Sequence, residues 1–583
     1  MIAARLEWLL PEPVPEPPRF TGFGAPLATL LARRGFRGDD DLQRFLQSGA
    51  GTLHDASLMA DAERALLRIE EALTGGERIA IWGDYDADGM SAVAVWTVAL
   101  RRLGAEPRRY VPSRLAEGYG LSVAGLRQLA RDGVTLVVTC DCGISNAAEV
   151  EEARALGVDV IVTDHHLPPA ILPRAVAVVD PHRADCPYPD PDLTGAGIAY
   201  KLAASLLAQN GAPVEGLAAL AAIGTVADVA PMTGEGRAIV RLGLEEMARS
   251  PAPGLRALLA RAAERPERPT ARDLAFGVVP RVNAAGRIAD AEVAIALLVE
   301  EGEARAETLA QELERVHAER RALTVTACDE AAALADAEAG DGPLVVRSDG
   351  WLPGLVGLIA GRLAEALARP VAAAALVGDE VRGSVRAPSD FHVAAALERC
   401  GDFLTKRGGH AAAGGFSAAP DAWDAFSAAF RALPRPFPDS HAPRVRPGRV
   451  RVDLVLAARL VDWTLAEQLA RLEPYGPGHP EPVLAVTGLR VGDARRTGNG
   501  ERHLLLRLLR GYETFDAAWF GAPADVPLPT EGMPIDLVGT LERDDWNGMP
   551  RLRLRVLDYG STETSPLVAR RARMPAPALA VGG

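Results

Sequence analysis

Four short apolar segments, each followed at once or within two residues by an acidic residue, constrain the fold of this chain more than any other feature. Stretches of helical character separate them, such as the one from Asn146 to Leu156. Strands that alternate with helices form βαβ units and a parallel sheet, whose carboxyl ends share the edge where α/β folds bind ligands. We therefore predict an α/β domain with acidic residues collected at one sheet edge. The predicted strands are Ile79–Trp82, Val134–Thr139, Val158–Thr163 and Ala175–Val179.

Three carboxylates at alternate positions follow the first predicted strand, in the sequence Asp84-Tyr85-Asp86-Ala87-Asp88-Gly89. We expect all three on a turn, because a helix is predicted only from Ser91 to Leu103. Like charges this close repel one another unless a cation neutralises them. The turn therefore predicts a metal site, with an ordinary acidic surface turn as the alternative.

The later strands end in similar residues. Asp141 follows the second strand, Asp164-His165-His166 the third and Asp180-Pro181-His182 the fourth. Adjacent histidines alone are more often a surface or core feature than a ligand set, but here they share an edge with several carboxylates. We therefore predict that this sheet edge binds a metal.

These motifs make the chain resemble the DHH phosphoesterase superfamily, and within it the bacterial exonucleases that are specific for single-stranded DNA. The resemblance covers nearly the whole chain. It implies an α/β fold with a parallel-sheet DHH catalytic domain, a long connecting helix, a smaller α/β domain of the DHHA1 type and a C-terminal OB-fold β-barrel. The motifs occur in family order: Gly83–Gly89, Asp141-Cys142-Gly143, Asp164-His165-His166, Thr225-Val226-Ala227-Asp228, Pro280–Arg287, Gly408-Gly409-His410 and Gly476–Pro482.

The resemblance also implies a catalytic centre with two ions, Mn²⁺ or Mg²⁺. Such ions, about 3.5–4 Å apart, can activate water and neutralise the phosphate and the leaving oxygen. Asp141 would bridge them, and Asp84 would complete the set or lie behind it. Asp164 would orient the ligands, and His166 would face substrate phosphate. The implied metal ligands are Asp84, Asp86, Asp88, Asp141, His165 and Asp228.

Asp228 lies in an apolar helical stretch, 219–230, where a lone carboxylate could also cap the helix or form an ion pair. A buried carboxylate without compensation is costly, so a metal is a simple explanation for it. The resemblance favours the metal.

Substrate-binding residues are implied in the same way. Ser384 and Arg386 would grip the phosphate at the 5′ end of a strand. Gly408 and Gly409 would let backbone amides approach a phosphate to which His410 donates, the alternative being a plain glycine-rich turn. The remaining candidates along the nucleic-acid path are Arg114, Arg281 and Asn283. A structural ion pair would explain Arg114 equally well.

At 583 residues the chain exceeds a single hydrophobic core. One long helix is predicted from Glu300 to Ala335. The predicted divisions are an N-terminal segment 1–55, the catalytic domain 56–245, a helical connector 246–337, the DHHA1-type domain 338–433, a linker 434–447, the OB-fold domain 448–562 and a tail 563–583.

Five strand-like runs near the C-terminus, with a hairpin signal at Asn547-Gly548, predict the small barrel. They lie near 483–491, 502–510, 513–520, 535–542 and 551–558. Aromatic side chains on such barrels can stack the bases of a single strand, but more often they fill the interior. The candidates are Phe515, Trp519, Phe520 and Trp546.

The net charge of −14 at first argues against nucleic-acid binding, because phosphate affinity comes from Lys and Arg. The positive charge is almost entirely Arg and clusters in 101–114, 281–287, 382–407 and 570–573. These clusters predict a basic groove, although compositional bias would produce the same pattern. Five cysteines without zinc-type pairs, no long apolar stretch and no signal-peptide pattern predict a cytoplasmic protein.

Four positions depart from the family pattern: Leu352, Glu314, His317 and His479. None of them is a predicted metal ligand. At position 352 the family usually has a histidine, so an interdomain or substrate contact would be lost there.

We predict a processive exonuclease that degrades single-stranded DNA from its 5′ end to mononucleotides. The resemblance implies the strand specificity, the direction, a role in DNA repair and recombination, and a single-strand-binding protein and a helicase as partners, with no membrane. One alternative is a DHH phosphoesterase acting on short oligoribonucleotides or cyclic dinucleotides, which would not need the barrel. Another is a non-catalytic replication-associated binding protein, which would have no reason to keep a repulsive carboxylate cluster.

Overall fold

The chain forms two compact units. A computed structural model describes residues 2–567 except 13, 15, 115–116, 337–339, 341, 439–447, 512 and 545–549. The central unit contains residues 48–445 and 476–478, and the barrel unit contains residues 1–47, 446–475 and 479–583. Among the described helices, none combines the length and apolar character needed to cross a bilayer.

The N-terminal residues belong to the barrel unit. They form strand β1 (Glu7–Leu9) and helices α1 (Ala25–Arg33) and α2 (Asp39–Leu46). Three acidic residues, Asp39 to Asp41, occupy the first turn of α2, where negative charge interacts favourably with the helix dipole. The apolar faces of α1 and α2 are buried in the same cluster as the barrel interior.

A five-stranded parallel sheet, in the order β3-β2-β4-β5-β6, begins the central unit. Alternate strand residues face two different apolar clusters, so both faces of the sheet are covered. This confirms the predicted parallel α/β sheet. The elements are α3 (Ala62–Thr74), β2 (Arg78–Trp82), α4 (Ala87–Arg102), β3 (Arg108–Tyr110), α5 (Val123–Arg131), β4 (Val134–Thr139), α6 (Ala147–Ala155), β5 (Asp159–Thr163) and β6 (Ala177–Val179).

The sheet register makes the carboxyl ends of the strands level. Trp82 pairs with Thr139, and Thr163 pairs with Val179. The acidic residues that follow β2, β4, β5 and β6 therefore lie along one edge of the sheet.

A helical layer continues the chain. The predicted connecting helix is confirmed as α14, which has 34 residues and is about 50 Å long. The π-helical turn Leu274–Val278 precedes α12. The helices are α7 (Gly195–Gln209), α8 (Leu217–Ala227), α9 (Gly234–Arg249), α10 (Pro253–Ala262), α11 (Ala271–Asp273), α12 (Val279–Ile288), α13 (Glu292–Leu298) and α14 (Glu303–Asp336).

The second α/β domain of the central unit has a mixed sheet in the order β10-β11-β9-β8-β7, with only β7 and β8 parallel. Burial alternates along β9, so Arg382, Ser384 and Arg386 share its less buried face. The elements are β7 (Leu344–Arg347), α15 (Val356–Leu367), β8 (Val371–Val377), β9 (Glu380–Arg386), α16 (Val393–Arg399), β10 (Lys406–Gly409), β11 (Ala413–Ala418) and α17 (Trp423–Arg431).

The predicted five-stranded barrel is confirmed in the barrel unit. Its strands pair in the order β14-β15-β16-β18-β17, and β17 pairs back with β14 to close it. The predicted hairpin turn Asn547-Gly548 lies outside the described residues. The elements are β12 (Arg449–Arg451), β13 (Leu454–Ala457), α18 (Trp463–Ala470), β14 (Leu484–Thr497), β15 (His503–Arg510), β16 (Glu513–Phe520), β17 (Pro534–Asp544) and β18 (Arg551–Ser561).

The close approach of α12 to the loop after β2 gives a test of the fold. A Cβ atom on Gly286 would lie 1.7 Å from the carbonyl oxygen of Tyr85. Because backbone must move, we expect Gly286→Ala to destabilise the central unit by about 1–3 kcal/mol and to lower its melting temperature in a thermal scan. Gly361→Ala in α15 is the matched control, since the nearest atom is 3.9 Å away. Equal melting temperatures for the two variants would contradict this packing.

Candidate metal centre

The predicted metal ligands come together where the strands of the first sheet end. Asp84 follows β2, Asp141 follows β4 and His165 follows β5, while Asp228 ends helix α8 as its C-cap residue. Asp84 and Asp141 are almost fully buried. Asp141 has a positive φ of 62°, a conformation that is unfavourable for a residue with a side chain.

Asp88 lies in the first turn of α4, which corrects the expectation that three carboxylates share a turn. The helix begins at Ala87, four residues before the predicted start, because the Asp86 carboxylate caps it by accepting from the N–H groups of Asp88 and Gly89, both at 3.0 Å. The Asp88 carboxylate accepts from the backbone N–H groups of Gly195 and Ala196 at 2.7 and 3.0 Å. These hydrogen bonds join the start of α4 to the start of α7.

His165 connects the two sides of this cluster. Its Nε2 lies 2.9 Å from Asp141 Oδ1 and 4.0 Å from Asp88 Oδ2, and its Nδ1 lies 3.8 Å from Asp228 Oδ2. Among the described residues, three overlapping triads have ligand atoms within 4.8 Å of one another: Asp141, His165 and His166; Asp88, His165 and Asp228; Asp84, Asp86 and Asp141.

The carboxylates of this cluster destabilise one another's charged forms. Burial and the neighbouring Asp86 raise the pKa of Asp84 well above its usual value, and burial with four neighbouring carboxylates does the same for Asp141. Burial and the charges of Asp228 and Asp86 raise the pKa of Asp88 to about 8. Oδ1 of Asp84 is buried without a hydrogen-bond partner. A divalent cation would relieve both the repulsion and the missing contact, so these residues fit a metal.

The two histidines have opposite electrostatic environments. Burial, together with the neighbouring His166, lowers the pKa of His165 to about 4, so the imidazole is neutral, as a metal ligand must be. Burial also lowers the pKa of His166, but the hydrogen bond and charge of Asp164 outweigh it and raise that pKa to about 9. His166 is therefore cationic and suited to face a phosphate.

Asp164 is fully buried and organises this part of the site. Its carboxylate accepts from the backbone N–H groups of Ile144, His165 and His166 and lies 2.7 Å from Nδ1 of His166. Among the metal-binding triads of the described residues, Asp164 is in none. The structure thus places it behind the ligands, where it fixes the direction of both histidines.

A cluster of arginines lies beside the carboxylates. Burial and the nearby charges of Arg114, Arg320 and Arg386 lower the pKa of Arg287 to about 9. The Arg114 guanidinium stacks on the Tyr85 ring at 3.8 Å, and its Nε is buried without a partner. Nη1 of Arg386 donates to Ser384 Oγ at 2.9 Å. An anion would relieve the repulsion among these like charges.

His410 approaches the centre from the second domain. Its ring centre lies 6.3 Å from that of His166. Gly409 has φ +144°, and a Cβ atom there would be 2.4 Å from the Ala413 carbonyl oxygen, so this position requires glycine. Gly408, Gly409 and His410 are exposed beside the site.

Arg281 and Asn283, predicted along the nucleic-acid path, have protein partners. Nε of Arg281 is paired with the Glu314 carboxylate at 2.7 Å, so one departure from the family pattern neutralises this arginine. The Asn283 side-chain oxygen accepts from the Ala87 N–H at 2.9 Å and steadies the start of α4.

The other departures are in none of the possible metal-binding triads of the described residues. His317 is buried against the Pro280 carbonyl oxygen, 3.2 Å from its Nδ1. Leu352 is 37% exposed. In the barrel unit, the His479 ring packs between Phe45 and Tyr475.

The barrel aromatics divide into core and surface. Phe515 is buried and Trp519 packs against the same core, whereas Phe520 is 46% exposed with the Arg553 guanidinium 5.5 Å from its ring centre. Trp546 lies outside the described residues. The sequence analysis missed Trp463, which is 41% exposed and has Arg543 at 5.9 Å. A tryptophan at the start of a short helix gives no sequence signal of this pairing.

Two further residues of the site were missed. Tyr119 donates to the Asp141 carbonyl oxygen at 3.1 Å and lies 3.2 Å from His166 Nδ1. Arg287 ends the 280–287 motif and is buried enough for its pKa to fall to about 9. That motif was the available signal for Arg287, but the side-chain directions of both residues depend on the fold.

The chain matches three family descriptions in order. "DHH family, N-terminal domain" matches residues 78–225, "DHHA1 domain" matches residues 341–433 and "RecJ OB domain" matches residues 452–558. The fold and the site together define a metal-dependent phosphoesterase of the DHH type.

Similarity to known proteins identifies the family within this class. The chain is 37% identical over 541 residues to the single-stranded-DNA-specific exonuclease RecJ of Thermus thermophilus, covering 93% of this chain and 76% of that protein. It is 32% identical to RecJ of Bacillus subtilis, with 92% and 68% covered. A crystal structure of Thermus thermophilus RecJ in complex with Mn²⁺ matches with a TM-score of 0.78 at 31% identity, over 95% of this chain and 79% of that one. The chain belongs to the RecJ family.

The raised pKa of Asp88 gives a test in metal-free protein. The pKa of the Asp88 carboxyl is about 8 in the folded protein, above the ordinary value of 3.8 that applies to the unfolded chain. The contribution of this proton to the free energy of unfolding is therefore fully present below pH 3.8 and is lost as the pH rises toward 8. We expect chelator-treated Asp88→Asn protein to gain melting temperature relative to wild type as the pH increases from 5 to 8. Mn²⁺ should raise the melting temperature of wild type more than that of the variant. A pH-independent difference would contradict the account.

Proposed function

We propose that this protein is a metal-dependent exonuclease that hydrolyses single-stranded DNA from the 5′ end and releases 5′-mononucleotides. One observation carries the proposal: a buried carboxylate cluster suited to two Mn²⁺ or Mg²⁺ ions lies beside a cluster of arginines suited to a phosphate. The RecJ relatives, whose names describe single-stranded-DNA-specific exonucleases, support the substrate. The Thermus thermophilus protein has been crystallised with Mn²⁺ and with Mg²⁺.

The residues of the site would have separate roles in hydrolysis. When bound, the ions supply an activated water and neutralise charge on the phosphate and the leaving oxygen. Asp84, Asp86, Asp88, Asp141, His165 and Asp228 would hold them. The cationic His166, oriented by Asp164, would bind a phosphate oxygen. His410 lies next to it, where a second domain can help to orient the strand.

The arginine cluster supports 5′-end recognition. A terminal 5′-phosphate carries more negative charge than an internal phosphodiester, whereas a normal 3′ end carries only a hydroxyl. Arg114, Arg287 and Arg386 with Ser384 can therefore distinguish the ends of a strand by charge. Gripping that phosphate would place the first phosphodiester bond at the metal centre.

The barrel supports a single-stranded rather than a dinucleotide substrate. Phe520 and Trp463 are exposed aromatics with arginines beside them, the combination on which unpaired bases stack. A phosphoesterase for cyclic dinucleotides or very short RNA would not need this surface. A non-catalytic binding protein would not need the buried carboxylates, whose repulsion costs stability.

The biological setting is proposed from the family. We infer a role in DNA repair and recombination, with a single-strand-binding protein and a helicase as partners. The described cysteines are all free, which fits the reducing cytoplasm.

Labelled DNA tests the activity and its direction. With Mn²⁺, wild type should release labelled mononucleotide at once from 5′-labelled single strands, and only late from 3′-labelled ones. Asp141→Asn should reduce the rate by about a thousandfold or more, because it removes a charge predicted to bridge both ions. Duplex DNA and a dinucleotide serve as comparison substrates. Cleavage of the dinucleotide alone would favour a phosphoesterase for short oligoribonucleotides or cyclic dinucleotides. Tight binding without cleavage would favour a non-catalytic binding protein.

The arginine cluster is tested by changing the 5′ end. Wild type should prefer a 5′-phosphorylated strand to a 5′-hydroxyl strand, and Arg386→Ala should lose most of this preference, about tenfold in kcat/KM. The control is Arg399→Ala, which removes an exposed arginine of the same domain. Retention of the full preference by Arg386→Ala would show that the 5′-phosphate binds elsewhere.

A further inference from the structure

A second Asp-X-His sequence lies beside the metal centre, and the proposed chemistry does not use it. Strands β5 and β6 are parallel neighbours, and Thr163 pairs with Val179 where they end. The Asp164 N–H donates to the Val179 carbonyl oxygen at 3.1 Å, which extends the ladder. Asp164-His165-His166 and Asp180-Pro181-His182 therefore start side by side at the same sheet edge.

The two sequences have related local geometry. Asp164 Oδ1 accepts from the His166 N–H at 3.2 Å and lies 2.7 Å from Nδ1 of that residue. Asp180 Oδ1 accepts from the His182 N–H at 2.8 Å and lies 3.8 Å from the His182 Nδ1. In each case a buried aspartate holds the histidine two residues later, more loosely in the second case.

The second pair has hydrogen-bonding groups without partners. The Asp180 side chain is 0% exposed, and its Oδ2 has no hydrogen-bond partner. Nδ1 of His182 is also buried without a partner, although the side chain as a whole is 29% exposed. A buried unpaired carboxylate is costly.

The strand register places the turn Asp180-Pro181-His182 directly beside the turn that carries His165 and His166. His166 and His410 already have proposed roles toward phosphate, whereas His182 has none.

We propose that His182 is a further substrate-binding residue, whose imidazole contacts a backbone phosphate of the bound strand beside the one that His166 faces. Asp180 is its positioning residue. This inference rests on the proposed nuclease function and adds a contact to it. The ligand is a phosphodiester, and the contact is a charge-assisted hydrogen bond from an imidazole N–H to an anionic phosphate oxygen.

Steady-state kinetics on 5′-phosphorylated oligothymidylate with Mn²⁺ test the proposal. His182→Ala should raise KM about tenfold with kcat changed less than about threefold, because a hydrogen bond to a charged group is lost from substrate binding. His182→Arg keeps a cationic donor and should stay within about threefold of the wild-type KM. Asp180→Asn should raise KM by less than His182→Ala.

Two controls separate substrate binding from stability. His392→Asn removes an exposed histidine of the second domain but keeps a side chain that can cap α16, as His392 does by accepting from the Ala395 N–H. This variant should leave KM unchanged, and the melting temperature of each variant should match that of wild type. An unchanged KM in His182→Ala would overturn the proposal. So would equal KM increases in the Ala and Arg variants together with lowered melting temperatures, which would indicate a structural role. A wild-type protein that does not cleave the strand would instead defeat the proposed function itself, and this inference with it.

Discussion

The repulsion among buried carboxylates is the constraint on which the rest of this structure depends. A parallel sheet brings its strand ends to one edge, and this chain places aspartates after β2, β4, β5 and β6. Burial and mutual repulsion raise the pKa values of Asp84, Asp88 and Asp141. Hydrogen bonds to Asp86 and Asp88 at the starts of α4 and α7 hold these charges in place. The fold keeps this unfavourable arrangement because cations can make it favourable.

The site contains a cluster of carboxylates and, beside it, a cluster of arginines. Next to the carboxylates stand Arg114, Arg287 and Arg386, and burial together with the charge of Arg114 lowers the pKa values of Arg287 and Arg386. The chain is negative overall, yet these arginines lie within electrostatic range of one another. An anionic strand would be drawn to the arginines, while the ions held by the carboxylates neutralise the phosphate to be cleaved. Arg281 does not add to this positive charge, because Glu314 pairs with it.

Much of the fold and of the candidate site could be predicted from the sequence, because local signals carry them. Apolar runs mark β2, β4 and β5, and the acidic residues that follow mark the metal cluster. The start of α4 was missed because the Asp86 side chain, rather than helix propensity, begins that helix.

Long-range contacts escaped prediction. Strand β1 pairs with β12 more than 400 residues later, so no local signal indicated that the N-terminal residues join the barrel unit. The Asn283 side chain supports Ala87 through a bond that only the packing of α12 creates. Arg287 and Trp463 were overlooked because their neighbours come from distant segments.

Anomalous X-ray diffraction from crystals grown with Mn²⁺ tests the central claim most directly. The account predicts two anomalous peaks about 3.5–4 Å apart among the carboxylates, with Asp141 between them. No peak at this cluster, or Mn²⁺ bound elsewhere on the protein, would contradict it.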